Sequence, residues 1–117
     1  MTREEMKSRT KKYALRVIKV AQALPRGFVA EVLGRQLVRA GTSVGANYRA
    51  ACRARSTADF INKLKTVEEE CDESLFWMEC LVESRLIAGR RLGALMTEAE
   101  EILAIVVASL KTTRQAS

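Results

Sequence analysis

Apolar residues recur along this chain at alternating steps of three and four, the spacing that stacks side chains on one face of an α-helix. The pattern is clearest in the third quarter, where Phe60, Leu64, Val67, Cys71, Ser74, Met78 and Leu81 keep to it without a break. Ile61, Leu75 and Val82 widen that face, and a helix is expected over about 57–88. A first segment, about 2–24, places Met6, Ala14, Val17, Ala21 and Leu24 together, with Leu15 and Ile18 beside them. A second, about 28–54, carries Val29, Leu33, Leu37, Ala40, Val44, Asn47 and Ala51. A fourth, about 92–113, carries Leu95, Ala99, Ile102, Leu103, Val106 and Leu110.

The breaks between segments have their own chemistry. Pro25-Arg26-Gly27 ends the first helix, because proline lacks the N–H that would continue it and glycine suits a turn. Ser56 followed by Asp59 reads as a capped start of the third, the serine oxygen accepting from a first-turn amide. Gly89 reads as that helix's C-terminal glycine, with Arg85, Arg90 and Arg91 near the negative end of its dipole. Short connections between long helices force neighbours to run antiparallel. The predicted fold is all-α, an antiparallel up-down-up-down four-helix bundle, with residues 1–117 forming one domain.

Composition agrees and narrows the function. One proline, six glycines and only 5% aromatic residues in 117 suit helices better than a sandwich or barrel. No apolar run approaches the roughly 20 residues that span a bilayer, and no apolar stretch follows the charged N-terminus as a secretory signal requires. A cytoplasmic location is expected, with Cys52, Cys71 and Cys80 reduced and half-buried. The chain has no histidine, which removes the commonest general base and the usual transition-metal ligand. The expectation is therefore a protein that is not an enzyme, with no catalytic residues, no cofactor and no bound metal. The acidic run Glu68, Glu69, Glu70, Asp72, Glu73, Glu79 and Glu83 leaves a metal-dependent hydrolase as an alternative, although its spacing matches no metal-binding loop.

Charge divides the chain in two. Residues 1–58 hold thirteen Lys and Arg against three Asp and Glu, whereas residues 59–117 hold seven against eleven. Such asymmetry suits either a polyanion partner or head-to-tail self-association. Arg35, Arg39, Arg49 and Arg53 share one helical face if Thr42 and Ala46 fill the gap, leaving a shallow cleft flanked by guanidinium groups. Arg9, Lys12, Arg16 and Lys19 form a second stripe on the first helix. Together they are the candidate nucleic-acid-binding residues, since stripes of cations track a phosphate backbone. A solvated or salt-bridged face is the plainer reading of the same residues.

Other positions carry a structural expectation beside a functional one. Gly41 and Gly45 each cost about 1 kcal/mol in a helix interior relative to alanine, so a kink, a close backbone approach or a subunit contact should offset that. Tyr13 and Tyr48 are expected at the bundle rim, with base stacking as the functional alternative. Asn47 on the apolar stripe needs partners and suits a register-fixing role. Phe76 and Trp77, beside the acidic run, suit an interface or core-edge packing equally.

The stretch from Gly34 to Leu81, GRQLVRAGTSVGANYRAACRARSTADFINKLKTVEEECDESLFWMECL, followed by EAEEILAIVVASLKT, resembles the bacterial four-helix-bundle family, also called the 23S rRNA intervening-sequence protein family. Its middle signature is matched by Arg39, Ala40, Ser43, Val44, Ala46 and Asn47, then by Arg53, Arg55 and Ser56. The chain departs from it at Gly45, where many members have proline, and at Arg49-Ala50-Ala51, where many have Ala-Glu-Gly. The resemblance implies an antiparallel bundle assembling into a homopentamer. It also implies a kinship with accessory proteins of diversity-generating retroelements, basic pentamers that bind nucleic acid and a reverse transcriptase. On that footing RNA is the expected partner ahead of DNA, a protein partner is possible, no membrane is involved, and Gly41, Ser43, Gly45, Asn47 and Ser56 are motif positions. The competing expectation is a pure self-assembly or scaffold protein with no nucleic-acid role.

Overall fold

A computed structural model of the chain describes residues 1–116. It contains four helices, α1 (Arg3–Gln22), α2 (Phe28–Ala51), α3 (Thr57–Glu83) and α4 (Gly89–Ala116), and among the described residues no strand. The helices pack side by side into a body of 48 × 21 × 20 Å. Helices adjacent in sequence touch, and α1 also meets α4. Along the α1–α2 seam, Gly34, Gly41 and Gly45 stand against Leu24, Val17 and Thr10 respectively.

The helix starts follow from local hydrogen bonding. Thr2 Oγ1 accepts from the Glu5 amide at 3.0 Å, and Ser56 Oγ accepts from the Asp59 amide at the same distance, so two helices are capped by the residues best suited to it. Gly27 precedes α2 at φ 146°, a conformation that side chains disfavour, which explains a glycine directly after Pro25-Arg26.

The third helix ends earlier than its apolar periodicity suggests, at Glu83 rather than near residue 88. Arg85 turns into the left-handed region at φ 65°. Its amide donates to the Val82 carbonyl at 3.0 Å, and the Leu86 amide reaches back to Leu81 at 3.0 Å, closing the helix in a Schellman arrangement. The reversal carries Ile87 into the core at 6% exposure. Burying that side chain contributes about 2 kcal/mol, which outweighs the roughly 1 kcal/mol of a left-handed non-glycine residue. Gly89 therefore opens α4 instead of capping α3.

The core matches the expected stripes of α3 and α4 closely. Leu64, Val67, Cys71, Ser74, Met78 and Leu81 are buried on α3, and Leu92, Leu95, Ala99, Ile102, Val106 and Leu110 on α4. The other two helices differ. On α1 the buried residues are Met6, Thr10, Tyr13 and Val17, while Ala14 and Ala21, and Leu24 just past the helix end, are half-buried. On α2, Ala30, Gly34 and Tyr48 take the places expected for Val29, Leu33 and Asn47. Asn47 is half-buried and donates from Nδ2 to the Ser43 carbonyl at 2.9 Å.

Tyr13 is not at the rim. It is fully buried, and its hydroxyl lies 2.7 Å from Ser74 Oγ, which in turn donates to the Cys71 carbonyl at 2.7 Å. The consistent assignment has Tyr13 donating. Thr10 satisfies its own buried hydroxyl on the Met6 carbonyl at 2.9 Å. Among the described residues no buried side-chain nitrogen or oxygen lacks a partner, as a stable interior requires. Burial suppresses the acidity of Tyr13 and pushes both Tyr48 and the Cys71 thiol up to about 12.

Candidate nucleic-acid interface

Helical spacing gives α1 two polar flanks, and the structure treats their cations differently. Arg9 faces α4. Its Nε donates to Glu98 at 2.7 Å, and its Nη2 donates to Glu98 at 2.8 Å and to Glu101 at 2.7 Å. Charge-assisted bonding of this two-pronged kind is stronger than a single contact. The Arg9 bond holds the Glu98 carboxyl below its usual range, and in return Glu98 keeps Arg9 more firmly protonated. Lys12, Arg16 and Lys19 continue along the same side of α1. All three are exposed and make no ion pair, although the Arg16 charge reaches Glu98.

The α2 stripe is likewise split. Arg35 pairs with Glu31 one turn earlier at 2.8 Å, with both side chains in solvent. Arg39 crosses to α3, where it engages Glu73 and lies 3.1 Å from Glu70. Arg49, about three turns on, and Arg53, just past the end of α2, are exposed and meet no carboxylate. So the four arginines share a face by spacing, while only the C-terminal pair keeps its charge uncommitted.

That pair lines a groove of about 510 Å³ between α1 and α2. Arg49 borders it from α2, Arg53 from the turn just after that helix, and Lys7 and Lys11 from α1; Glu4 closes one end, held by Lys7 at 2.7 Å. Between the walls lie Ala14, Gly45 and Ala46. The floor is small because the two helices nearly touch. A Cβ at Gly41 would stand 2.7 Å and 2.8 Å from the γ carbons of Val17, and one at Gly45 would stand 3.2 Å from the Thr10 carbonyl oxygen. The glycines thus serve a close approach within the hairpin, through which α2 continues as unbroken helix.

Lys7 and Lys11 are the residues that the stripe-based reading leaves out. They stand on the α2 side of α1, next to Ala14, whereas Arg9 stands on the α4 side. A signal for them exists in the sequence. Lys7, Lys11 and Ala14 share helical spacing, and a small residue on α1 is what the small stripe of α2 needs opposite it.

The motif positions serve the backbone. Ser43 Oγ donates to the Arg39 carbonyl at 2.7 Å, Asn47 donates to Ser43, and Ser56 caps α3. On α3, Glu70 and Glu73 are occupied by Arg39, and the Trp77 Nε1 also donates to Glu73 at 3.2 Å. Glu69, Asp72, Glu79 and Glu83 are exposed around Phe76, which is 52% exposed and meets Trp77 edge-on at 5.0 Å. Among the described residues no three His, Cys, Asp or Glu side chains are grouped so as to hold a metal ion, and no helix is long and apolar enough to cross a membrane. A larger cleft of about 770 Å³ lies beside the α1–α2 turn, with an apolar floor including Leu24, Ala30 and Val38.

Comparison with known proteins supplies the rest. The chain is similar over its length to a crystal structure, at 1.70 Å resolution, of a protein of unknown function of the S23 ribosomal protein family from Bacteroides thetaiotaomicron VPI-5482. The two are 29% identical, the match covers 95% of this chain and 99% of the other, and the TM-score is 0.84. No curated protein matches the sequence. The family model for the 23S rRNA-intervening sequence protein matches residues 3–108, nearly the whole chain, and with the helical fold and capped motif already described this protein belongs to that family.

Proposed function

We propose that this protein is a non-enzymatic, cytoplasmic, homo-oligomeric bundle that binds nucleic acid through cations of its first two helices. One observation carries the reading: Lys11, Arg49 and Arg53 border a single groove and lack carboxylate partners, while Lys12, Arg16 and Lys19 are also exposed and unpaired. Free cations release counterions from a phosphate backbone, whereas paired ones have already spent much of that interaction internally. The seam contacts at Gly34, Gly41 and Gly45 descend α1 as they ascend α2, which supports an up-down-up-down arrangement. A pentamer is the assembly that the family resemblance suggests, and five copies would multiply the formal charge of +6 fivefold.

The direct experiment is a titration of mixed-sequence RNA and DNA with the full chain at several salt concentrations, beside a sedimentation measurement of subunit number. RNA is the first ligand to try. Binding that weakens steadily with salt supports the proposal. A stable oligomer that binds neither polymer at low salt overturns it in favour of the scaffold reading. That second reading has its own support in the exposed Phe28, Val29, Val32 and Phe76, an unusual apolar surface for a charged bundle.

A further inference from the structure

We infer that the α1–α2 groove seats one phosphate ridge of a double-stranded nucleic acid, without regard to base sequence or to the sugar. The inference rests on the nucleic-acid reading above and narrows it to a ligand class. It follows from what the groove contains and from what lies elsewhere in the molecule.

Proteins that hold single strands stack bases on aromatic side chains. None of the six aromatic residues borders this groove. Tyr13 and Tyr48 are buried, and Phe60 lies beneath the Arg3 guanidinium at 4.7 Å. Phe28 sits at the start of α2, and Phe76 and Trp77 sit on α3. A base turned into the groove would find small side chains at Ala14, Gly45 and Ala46 and no ring to stack on.

Base edges and ribose hydroxyls are read by hydrogen-bonding side chains. The groove offers almost none. Thr42 has committed its hydroxyl to the Val38 carbonyl at 2.7 Å, which leaves Ser8 as the one uncommitted neutral side chain among the lining residues. The remaining polar groups are charged: Glu4 at one end, paired with Lys7, and the cations Lys11, Arg49 and Arg53, which meet no carboxylate. Lys7 and Lys11 on one wall are one helical turn apart, about 6 Å along the axis, and on the other wall Arg49 stands in the last turn of α2 with Arg53 two residues past its end. Such a site responds to charge density alone. A duplex presents one charge per roughly 1.7 Å of axis and is the denser ligand.

The test uses fluorescence anisotropy with the full chain and four probes of equal length: duplex RNA, duplex DNA, and a single strand of each. The expected result is duplex binding at least about threefold tighter than single-strand binding, near equality of the two duplexes, and indifference to base composition. The double variant Arg49→Gln/Arg53→Gln should lower the magnitude of the log–log salt slope by about 2 for each engaged groove. The single variant Lys11→Gln, on the opposite wall, should lower it by about 1. Tighter binding of single strands, or more than about tenfold discrimination between sequences or sugars, overturns the inference while leaving nucleic-acid binding intact. Unchanged slopes in both variants, with helicity retained by circular dichroism, would move the site off this groove. Failure of the unmodified protein to bind any probe at low salt overturns the broader proposal as well.

Discussion

The two flanks of α1 show the same residue types put to opposite uses. Toward α4, Arg9 is half-buried and held by Glu98 and Glu101, so its charge works as an internal tie. Toward α2, Lys11, Arg49 and Arg53 border a groove whose one acid, Glu4, is paired with Lys7, so their charge is directed outward. The difference lies in what stands opposite. The fourth helix brings acids at Glu98 and Glu101, whereas α2 brings glycine, alanine and arginine. A count of basic residues along α1 treats both flanks alike, and only the partner helix separates them.

The strongest way to break this contrast is to force the second flank open. Gly41→Leu places a side chain where the γ carbons of Val17 already stand within 2.8 Å of a Cβ position, on a fully buried face. Overpacking at such a site should destabilise by about 3 kcal/mol, read as a lower urea midpoint, and should impair nucleic-acid binding in whatever folds. Gly45→Ala is a milder version, limited by an unyielding backbone oxygen at 3.2 Å rather than a side chain.

Releasing the first flank sharpens the contrast instead. Glu98→Gln/Glu101→Gln leaves Arg9 without its anions, and should cost about 2 kcal/mol at neutral pH while strengthening nucleic-acid binding a few-fold. If affinity stays flat, Arg9 is too recessed to reach a ligand. The pH dependence has a definite sign. Because Glu98 is held below its usual range, its contribution is present above the ordinary carboxylate pKa and is lost as pH falls through the depressed value. Acid titration of unfolding should show that loss in the unmodified protein and not in the double variant.

The smallest effect belongs to the core between the flanks. The Cys71 thiol is pushed from 9.0 to about 12 by burial, so the unfolded chain releases its proton first and stability declines once pH exceeds 9. At pH 10 the loss is about 1 kcal/mol, and Tyr48, also raised to about 12, adds to it above pH 10. Replacing Cys71 by alanine should flatten the decline between pH 9 and 10 in chemical denaturation.

How much of this was legible in the sequence follows from the same contrast. The stripes of α3 and α4 are readable because most of their inward positions are large and apolar, Ser74 and Ala99 being the exceptions. On α1 and α2 the inward positions include Thr10, Gly34, Ala40 and Gly41, which carry little hydrophobic signal. Meanwhile Val29, Val32 and Phe28 advertise an apolar face that points to solvent. The expected stripe of α2 therefore matches at Leu37, Ala40, Val44 and Ala51 and is one residue off at Val29, Leu33 and Asn47, where Ala30, Gly34 and Tyr48 face inward. The candidate site was legible as a set of cations and a small-residue gap. Its pairing was not, because Arg39–Glu73 and Arg9–Glu98 link residues far apart in the chain. Lys7 and Lys11 share helical spacing with Ala14, and the α2 wall opposite gives that spacing its meaning.

The near contact of main chains at Gly45 has a thermodynamic consequence. The separation of the groove's walls is fixed by two helical backbones that have no rotamers to change and no bulky packing to relax. An incoming polyanion would order only the flexible tips of a few lysines and arginines. The entropy lost on association is then confined to those side chains, and the rest of the receptor is preorganised before encounter.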